Sequence, residues 1–204
     1  LVRKDVGELV THLKSRGVHC AMNSNGWWVR DRIDEVAGLD LVCLTLDGPR
    51  EVHDAQRQKG SYDRVVDAMG LLRQRGVEVV TMTVVTPRGA DNIEHVLDVA
   101  ESFGTRAFFQ LEHDASVDVY APNAPTFSNA RIAEVSDRLL EAKERGRPVG
   151  NSRTVLRMQR ADGRRIGGDQ RLSPQVHEEA LGGAIPSIPL DVIEDDDSVR
   201  YSMK

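Results

Sequence analysis

The stretch Leu41-Val42-Cys43-Leu44-Thr45-Leu46 runs directly into Asp47-Gly48-Pro49. A continuous apolar run of this length, cut off by a turn signal, is the mark of a strand buried on both faces. Such strands belong to parallel sheets whose two sides are covered. The rest of the chain is therefore read for helices long enough to cross from one parallel strand to the next.

Those helices are present on both sides of the stretch. Upstream, Val6, Leu9, Val10 and Leu13 recur at helical spacing over residues 4–16, with Asp5 as N-cap and Gly17 as stop. Residues 18–22 read as a short strand and residues 28–37 as a weaker helix. Downstream, Ser61 caps a helix to about residue 75, with Val65, Val66, Met69 and Leu72 inward. Residues 77–85 form the next strand. Asp91 and Glu94 make a capping-box-like start to a helix that Gly104 ends. Residues 106–111 form the fourth strand, and a last helix spans about 129–145, with Ile132, Val135 and Leu139 on one face. Strict alternation of this kind predicts an α/β fold with about four parallel strands and outer helices. Four strands cannot close a barrel, but they form an open arc of one. An open arc exposes two sheet edges, so self-association is expected. From about Arg160 no period persists, and Gly167-Gly168, Gly182-Gly183 and an acidic run break up the sequence. The expected division is residues 1–155 as the folded unit and 156–204 as an irregular or disordered tail.

Composition narrows the function classes. The formal net charge of −5, with no clustered basic stretch, argues against a nucleic-acid partner. No apolar run approaches the ~18 residues of a membrane span, and no signal peptide is evident, so a cytoplasmic protein is expected. The chain opens on Leu1 and runs straight into a helical pattern, so a fragment lacking its beginning is expected. The two cysteines, Cys20 and Cys43, sit singly within apolar runs, where a free thiol acts as a small hydrophobe. No metal site is assigned to them.

In parallel α/β structures ligands bind at the carboxyl ends of the strands. Each strand here turns polar at that end: Asn23-Ser24-Asn25-Gly26, Thr45-Leu46-Asp47, Thr86, and Gln110-Leu111-Glu112-His113. Alternation sets Val42, Leu44 and Leu46 on one face and Cys43, Thr45 and Asp47 on the other. Thr81 and Thr83 are separated in the same way from Val80, Met82 and Val84. The expectation is one apolar face against helices and one semi-polar face lining a lumen, with Thr81 and Thr83 either in the lumen or bonded to neighbouring backbone. Asp47 is a ligand contact or a loop ion-pair residue. Arg57 is a carboxylate clamp or a surface cation. His113 and Asp114 are weaker acid–base candidates.

Taken together, Leu44-Thr45-Leu46-Asp47-Gly48-Pro49, then His53-Asp54, Arg57, Gly60-Ser61 and Tyr62, resemble the radical S-adenosylmethionine (radical SAM) signature S-L-D-G-P…H-D…R…G-S-F/Y. Thr45 replaces the usual Ser and Tyr62 the usual Phe. Ser24-Asn25-Gly26 is similar to the family's T-N-G. Thr83-Val84-Val85 followed by Asn92 is similar to its T-V…N. Residues 1–5 resemble the segment that follows G-G-E-P. The likeness covers residues 1–155 and implies a partial (β/α)6 radical SAM barrel. It also implies S-adenosylmethionine and a 4Fe-4S cluster as cofactors of the full-length family. The cluster is bound through C-x3-C-x2-C and cleaves the sulfonium to a 5′-deoxyadenosyl radical that abstracts hydrogen from a small-molecule or peptide substrate. The implied partner is an electron donor such as flavodoxin or ferredoxin. By position, the resemblance assigns Asn25, Thr45, Asp47, Arg57 and Gln110 to cofactor binding. Residues 146–152 resemble the link to a cysteine-rich, SPASM-type extension.

The departures are as informative. The cluster cysteines, the first two strands and G-G-E-P have no counterpart in the 204 residues. Cluster ligands are thiolates, and two strand cysteines do not replace them. The chain alone is therefore expected to be inactive. One rival reading is a degenerate, non-catalytic barrel that acts as a binding or scaffold protein. Another is an unrelated phosphate-binding (β/α)8 enzyme, for which Gly167-Gly168 is a poor phosphate loop.

Overall fold

A computed structural model of the chain describes residues 1, 3–86, 89–111 and 128–162. Its centre is a four-stranded sheet, β1 (Ala21–Ser24), β2 (Leu41–Thr45), β3 (Glu78–Val85) and β4 (Arg106–Leu111), in the order β1-β2-β3-β4 with every pair parallel. The helices are α1 (Val6–Lys14), α2 (Ile33–Val36), α3 (Arg50–Gln56), α4 (Ser61–Gln74), α5 (Ile93–Ser102), α6 (Asn129–Glu144) and α7 (Arg153–Asp162). Helix α4 packs on β2 and β3, and α5 on β3 and β4. The expected α/β arc of four parallel strands is what forms.

Parallel register determines which side chains share a face. Leu44 pairs with Thr81, and Thr81 with Ala107; Thr45 pairs with Met82, and Met82 with Phe108. Val42, Leu44, Thr81, Thr83, Ala107, Phe109 and Leu111 therefore lie on the helix-covered side, each 3% exposed or less. Against them pack Val65, Met69, Leu72, Ile93 and Leu97, all 0–1% exposed. Burying an aliphatic side chain of this size is worth about 1.5–3 kcal/mol, so this layer holds the arc together. The opposite, half-exposed face carries Cys43 and Thr45, then Met82 and Val84, then Arg106, Phe108 and Gln110.

This register corrects the expectation of Thr81 and Thr83 as lumen residues. Both lie under the helices. The Thr83 hydroxyl donates to the Leu46 carbonyl at 2.7 Å, whereas the Thr81 hydroxyl has no partner among the described residues. Alternation groups side chains into faces, but it does not say which face meets helices.

Several local expectations also change. Strand β1 starts at Ala21, not residue 18, because its pairing partner β2 begins at Leu41. The helix expected at 28–37 is a 3-10 turn, Arg30–Arg32, followed by the single turn α2. The break falls at Arg32, whose guanidinium reaches back to the carbonyls of Leu1, Arg3 and Lys4 at 2.6–2.9 Å. Asp5 flanks α1, but its carboxylate pairs with Arg3 and caps no amide. Asp91 and Glu94 form no capping box: Asp91 pairs with Arg138 at 3.3 Å, and α5 begins only after a 3-10 turn. Helix α7 crosses the expected boundary at residue 155, because Leu156 (0% exposed) and Gln159 (3%) bury one face and the helix packs on α6. The sequence from residue 163 lies outside the described residues.

The outer edge of β4 is not bare. Ala107 accepts from the Gly150 N–H and donates to the Pro148 carbonyl, at 2.7 and 2.8 Å, in a parallel bridge to Val149. One step on, the Asn151 carboxamide accepts from the Phe109 N–H at 2.8 Å and donates to the Phe109 carbonyl at 2.9 Å. A side chain thus stands in for a peptide group and satisfies both main-chain atoms of an edge residue. Among the described residues nothing pairs with the outer edge of β1.

Candidate functional site

The carboxyl end of β2 is built around Asp47, which is 2% exposed. Leu46 and the Thr83 hydroxyl brace the chain just before it, and the Leu46 N–H donates to the Met82 carbonyl at 3.1 Å. Gly48 follows at φ +146, a region that disfavours any side chain. A Cβ there would stand 2.9 Å from Cβ of Asn92, so the turn presses directly on the start of α5. Pro49 then leads into α3, which carries His53 and Asp54, with Arg57 just past its end.

Three groups converge on Asp47. Arg57 donates from Nε to Oδ2 at 2.7 Å. The Val84 N–H donates to Oδ1 at 3.4 Å. His53, itself 1% exposed, accepts the Asp47 N–H at Nδ1, 3.2 Å away, and the same nitrogen lies 3.7 Å from Oδ2. Burial pushes the His53 imidazole below its ordinary value, with the Asp47 carboxylate pulling the other way. The His53 Nε2 has no hydrogen-bond partner among the described residues, and the His53 and Tyr62 rings pack edge to face with 6.3 Å between centroids.

The sequence reading names Ser61 as the cap of α4, but the cap is supplied differently. Gly60 precedes the helix at φ +84, and the Asp54 carboxylate accepts the N–H groups of Gly60 and Tyr62 at 2.7 and 2.8 Å. These two bonds, the Tyr62 amide first, hold the Asp54 carboxyl below the usual carboxylate range. Tyr62 in turn contacts His95 of α5, hydroxyl to Nε2 at 3.0 Å, and lies under the Arg50 guanidinium. The motif from Asp47 to Tyr62 is thus one hydrogen-bonded unit linking β2, α3, α4 and α5.

The five sequence-derived site residues fall as follows. Thr45 lies half-buried on the open face of β2. Gln110 lies on the same face of β4, paired with Val84. Asn25 follows β1 at the same end; it is exposed, and its Oδ1 accepts the Trp27 N–H at 3.2 Å. Arg57 has a half-exposed side chain, 42%, with Nε engaged by Asp47. Four strands spaced about 4.8 Å apart place Asn25 and Gln110 roughly 14 Å from each other along this rim. Asp47 differs from the rest: its carboxylate is spent inside the protein on Arg57 and Val84. His113 and Asp114 lie outside the described residues. The sequence reading missed the buried acceptor role of His53, whereas the Thr83 bond to the Leu46 carbonyl is the backbone alternative it had kept open. A histidine six residues after the strand-end acid was the only available signal.

A family model of the Radical SAM superfamily matches residues 1–102. The chain belongs to the radical SAM superfamily. This radical SAM chain is 26% identical over 149 residues to an AdoMet-dependent heme synthase of Nitratidesulfovibrio vulgaris, covering 71% of this chain and 37% of that protein. It is 32% identical over 108 residues to the mycofactocin maturase MftC of Mycolicibacterium smegmatis, covering 50% and 28%. The radical SAM chain thus spans well under half the length of either relative. Among solved structures, anSMEcpe with bound AdoMet superposes with a TM-score of 0.59 at 17% identity, over 81% of this chain and 50% of that one. SuiB of Streptococcus suis bound to precursor peptide SuiA gives 0.58 at 12%, over 72% and 34%. At these identities the structural likeness speaks for the fold.

The two cofactors of the radical SAM family fare differently against this chain's own residues. A 4Fe-4S cluster requires several thiolates at one place. Cys20 is buried, Cys43 lies on β2, and burial pushes the Cys43 thiol up, toward its protonated form. Among the described residues no group of three or more His, Cys, Asp or Glu is arranged to hold a metal ion. The residues present do not fit a cluster. Arg57 is anchored through one edge on Asp47, and Thr45 and Gln110 make no side-chain hydrogen bond to a described residue.

Proposed function

We propose that this chain forms the S-adenosylmethionine-facing wall of a radical SAM enzyme and that it does not turn over by itself. The observation that carries the reading is that Thr45 of β2 and Gln110 of β4 share the half-exposed face of the sheet, two strands apart, while the Arg57 guanidinium is anchored through Nε on Asp47 just past the end of β2. S-adenosylmethionine, when bound and reductively cleaved, supplies a 5′-deoxyadenosyl radical for hydrogen abstraction. The part of this chain is binding and orientation. Arg57 offers its remaining N–H groups to the ligand carboxylate. Thr45, Asn25 and Gln110 offer hydroxyl and carboxamide contacts, and Met82, Val84 and Phe108 provide an apolar floor.

The thiolates of a 4Fe-4S cluster would come from outside these 204 residues, as would the docking surface for an electron donor of the flavodoxin or ferredoxin type. A peptide or small-molecule substrate fits the names of the relatives; residues 153–204 hold no cysteine, so they do not supply the cysteine-rich extension whose link residues 146–152 resemble. The shortage of cysteines favours a second reading, a non-catalytic barrel that keeps only a binding or scaffold role. Reconstitution of the chain with iron and sulfide decides between inactivity and turnover: one intact cluster per chain overturns the inactive reading. The binding reading is tested by calorimetric titration of the chain with S-adenosylmethionine. Saturable uptake that Thr45→Val and Gln110→Ala each weaken supports it, and no uptake at millimolar ligand sinks it.

A further inference from the structure

We infer that His53 is a positioning residue: its neutral imidazole fixes the Asp47 backbone, aims the Asp47 carboxylate at Arg57, and so holds the guanidinium at the rim. The inference rests on the binding role proposed for Arg57, but its geometry stands by itself. His53 Nδ1 accepts the Asp47 N–H at 3.2 Å, so that nitrogen carries no proton and Nε2 does. Nε2–H is buried without an oxygen or nitrogen partner among the described residues, an arrangement that core packing alone would not select over an apolar ring. The histidine is therefore explained by its other nitrogen.

The relay has a built-in competitor. Nδ1 of His53 lies 3.7 Å from Oδ2 of Asp47, the oxygen that Arg57 uses at 2.7 Å. A proton on Nδ1 would face the Asp47 N–H, donor against donor, and would turn instead to Oδ2. The imidazolium would then share or take the carboxylate oxygen, and the guanidinium would lose its anchor. Charged and titratable groups around the ring are Asp47 at the end of β2, Asp54 and Arg57 on its own segment, and Tyr62 of α4. Two carboxylates favour protonation, while Arg57 and burial oppose it.

The test uses the full chain, labelled with 15N. At pH 7.5 the long-range imidazole spectrum is expected to show His53 with Nδ1 bare and Nε2 protonated. The Arg57 Nε–H should exchange more slowly than that of a free arginine at the same pH, and this protection factor should fall as pH drops through the His53 titration. His53→Asn places an amide oxygen near the position of Nδ1 and cannot titrate. It is expected to rescue the Arg57 Nε–H protection and most of the S-adenosylmethionine affinity, relative to His53→Gln and His53→Ala, and to remove the acid-side loss. The Gln and Ala variants should bind roughly tenfold more weakly. A protonated Nδ1 in the wild-type chain at pH 7.5 overturns the inference. So does equal Arg57 Nε–H exchange in the wild-type chain and the Gln variant. If the Gln and Ala variants do not fold, the wild-type pH series decides alone. A wild-type chain with both signatures and no S-adenosylmethionine uptake supports the relay and overturns only the ligand assigned to it.

Discussion

Arg57 and Asp47 are joined through a single edge, Nε to Oδ2 at 2.7 Å, with a carboxylate side chain that is 1% exposed and a guanidinium that is 42% exposed. The pair runs from the interior to the surface. Its buried member is closed off, and its exposed member uses one of its five N–H donors on a side chain of the described residues.

Asp47→Asn should retain the bond from the Val84 N–H and lose the charge-assisted bond to Arg57. The expected loss is about 1–2 kcal/mol, at the low end for bonds to a charged group because the Arg57 side is half-exposed to solvent. Urea denaturation of the two chains measures it. An unchanged midpoint would mean the pair contributes nothing to the fold.

The depressed proton affinity of His53 sets a pH window. The unfolded imidazole takes up its proton near pH 6.5 and the folded one only at lower pH. The unfolded state therefore binds more protons between those two values, and stability falls as pH drops below about 6.5 toward the folded pKa. Above that range the contribution is fully present. Denaturation midpoints from pH 8 to 5 should decline more steeply for the wild-type chain than for His53→Asn.

Asp54 works in a lower window. Its carboxylate is held by the amides of Tyr62 and Gly60, so its folded pKa lies below the unfolded value near 4. The stabilisation is present above pH 4 and is lost as pH falls through the folded value. Asp54→Asn should lower the thermal midpoint at pH 7, and the gap from the wild-type chain should close in strong acid. A gap that persists at the lowest pH would show that the carboxylate charge is not what caps α4.

Gly48→Ala combines a disfavoured φ of +146 with a Cβ 2.9 Å from that of Asn92. A cost of about 1–3 kcal/mol is expected from backbone strain alone. Because the residue follows Asp47 directly, the same change should weaken S-adenosylmethionine binding. Parallel denaturation and calorimetric titration would separate the two effects.

The residues themselves show how much the sequence disclosed. The apolar run from Leu41 to Leu46 correctly announced a parallel strand, though only its Val42 and Leu44 face is buried while Cys43 and Thr45 are half-exposed, and helical spacing located α1, α4, α5 and α6 within a few residues. Helix α3 was hidden because it is only seven residues long and buries His53 rather than an aliphatic row. Helix α7 was hidden because its mean composition is polar, and only Leu156 and Gln159 turn inward. The strand-end residues were legible as polar tips. The burial of Asp47 was not, since it depends on Val84 from a strand 37 residues away. Thr81 and Thr83 were assigned to the wrong side because face identity is a tertiary property: it emerges only when α4 and α5 settle on the sheet.

Asn151→Ala removes both bonds to the main chain of Phe109. Leaving that N–H and carbonyl unpaired should cost about 1–3 kcal/mol. Hydrogen exchange at the Phe109 amide should accelerate in step with the loss of stability. Exchange that stays slow would show that another group takes over.

The same carboxamide bears on how copies of the chain meet. With the flank at Phe109 and Ala107 sealed, β1 is the one sheet border left open among the described residues. Two chains joined there would run β1 against β1 about a twofold axis and use up the open border of each. Association by strand addition would then terminate at a pair, and filaments, which need two sticky ends per subunit, would have no second site from which to grow.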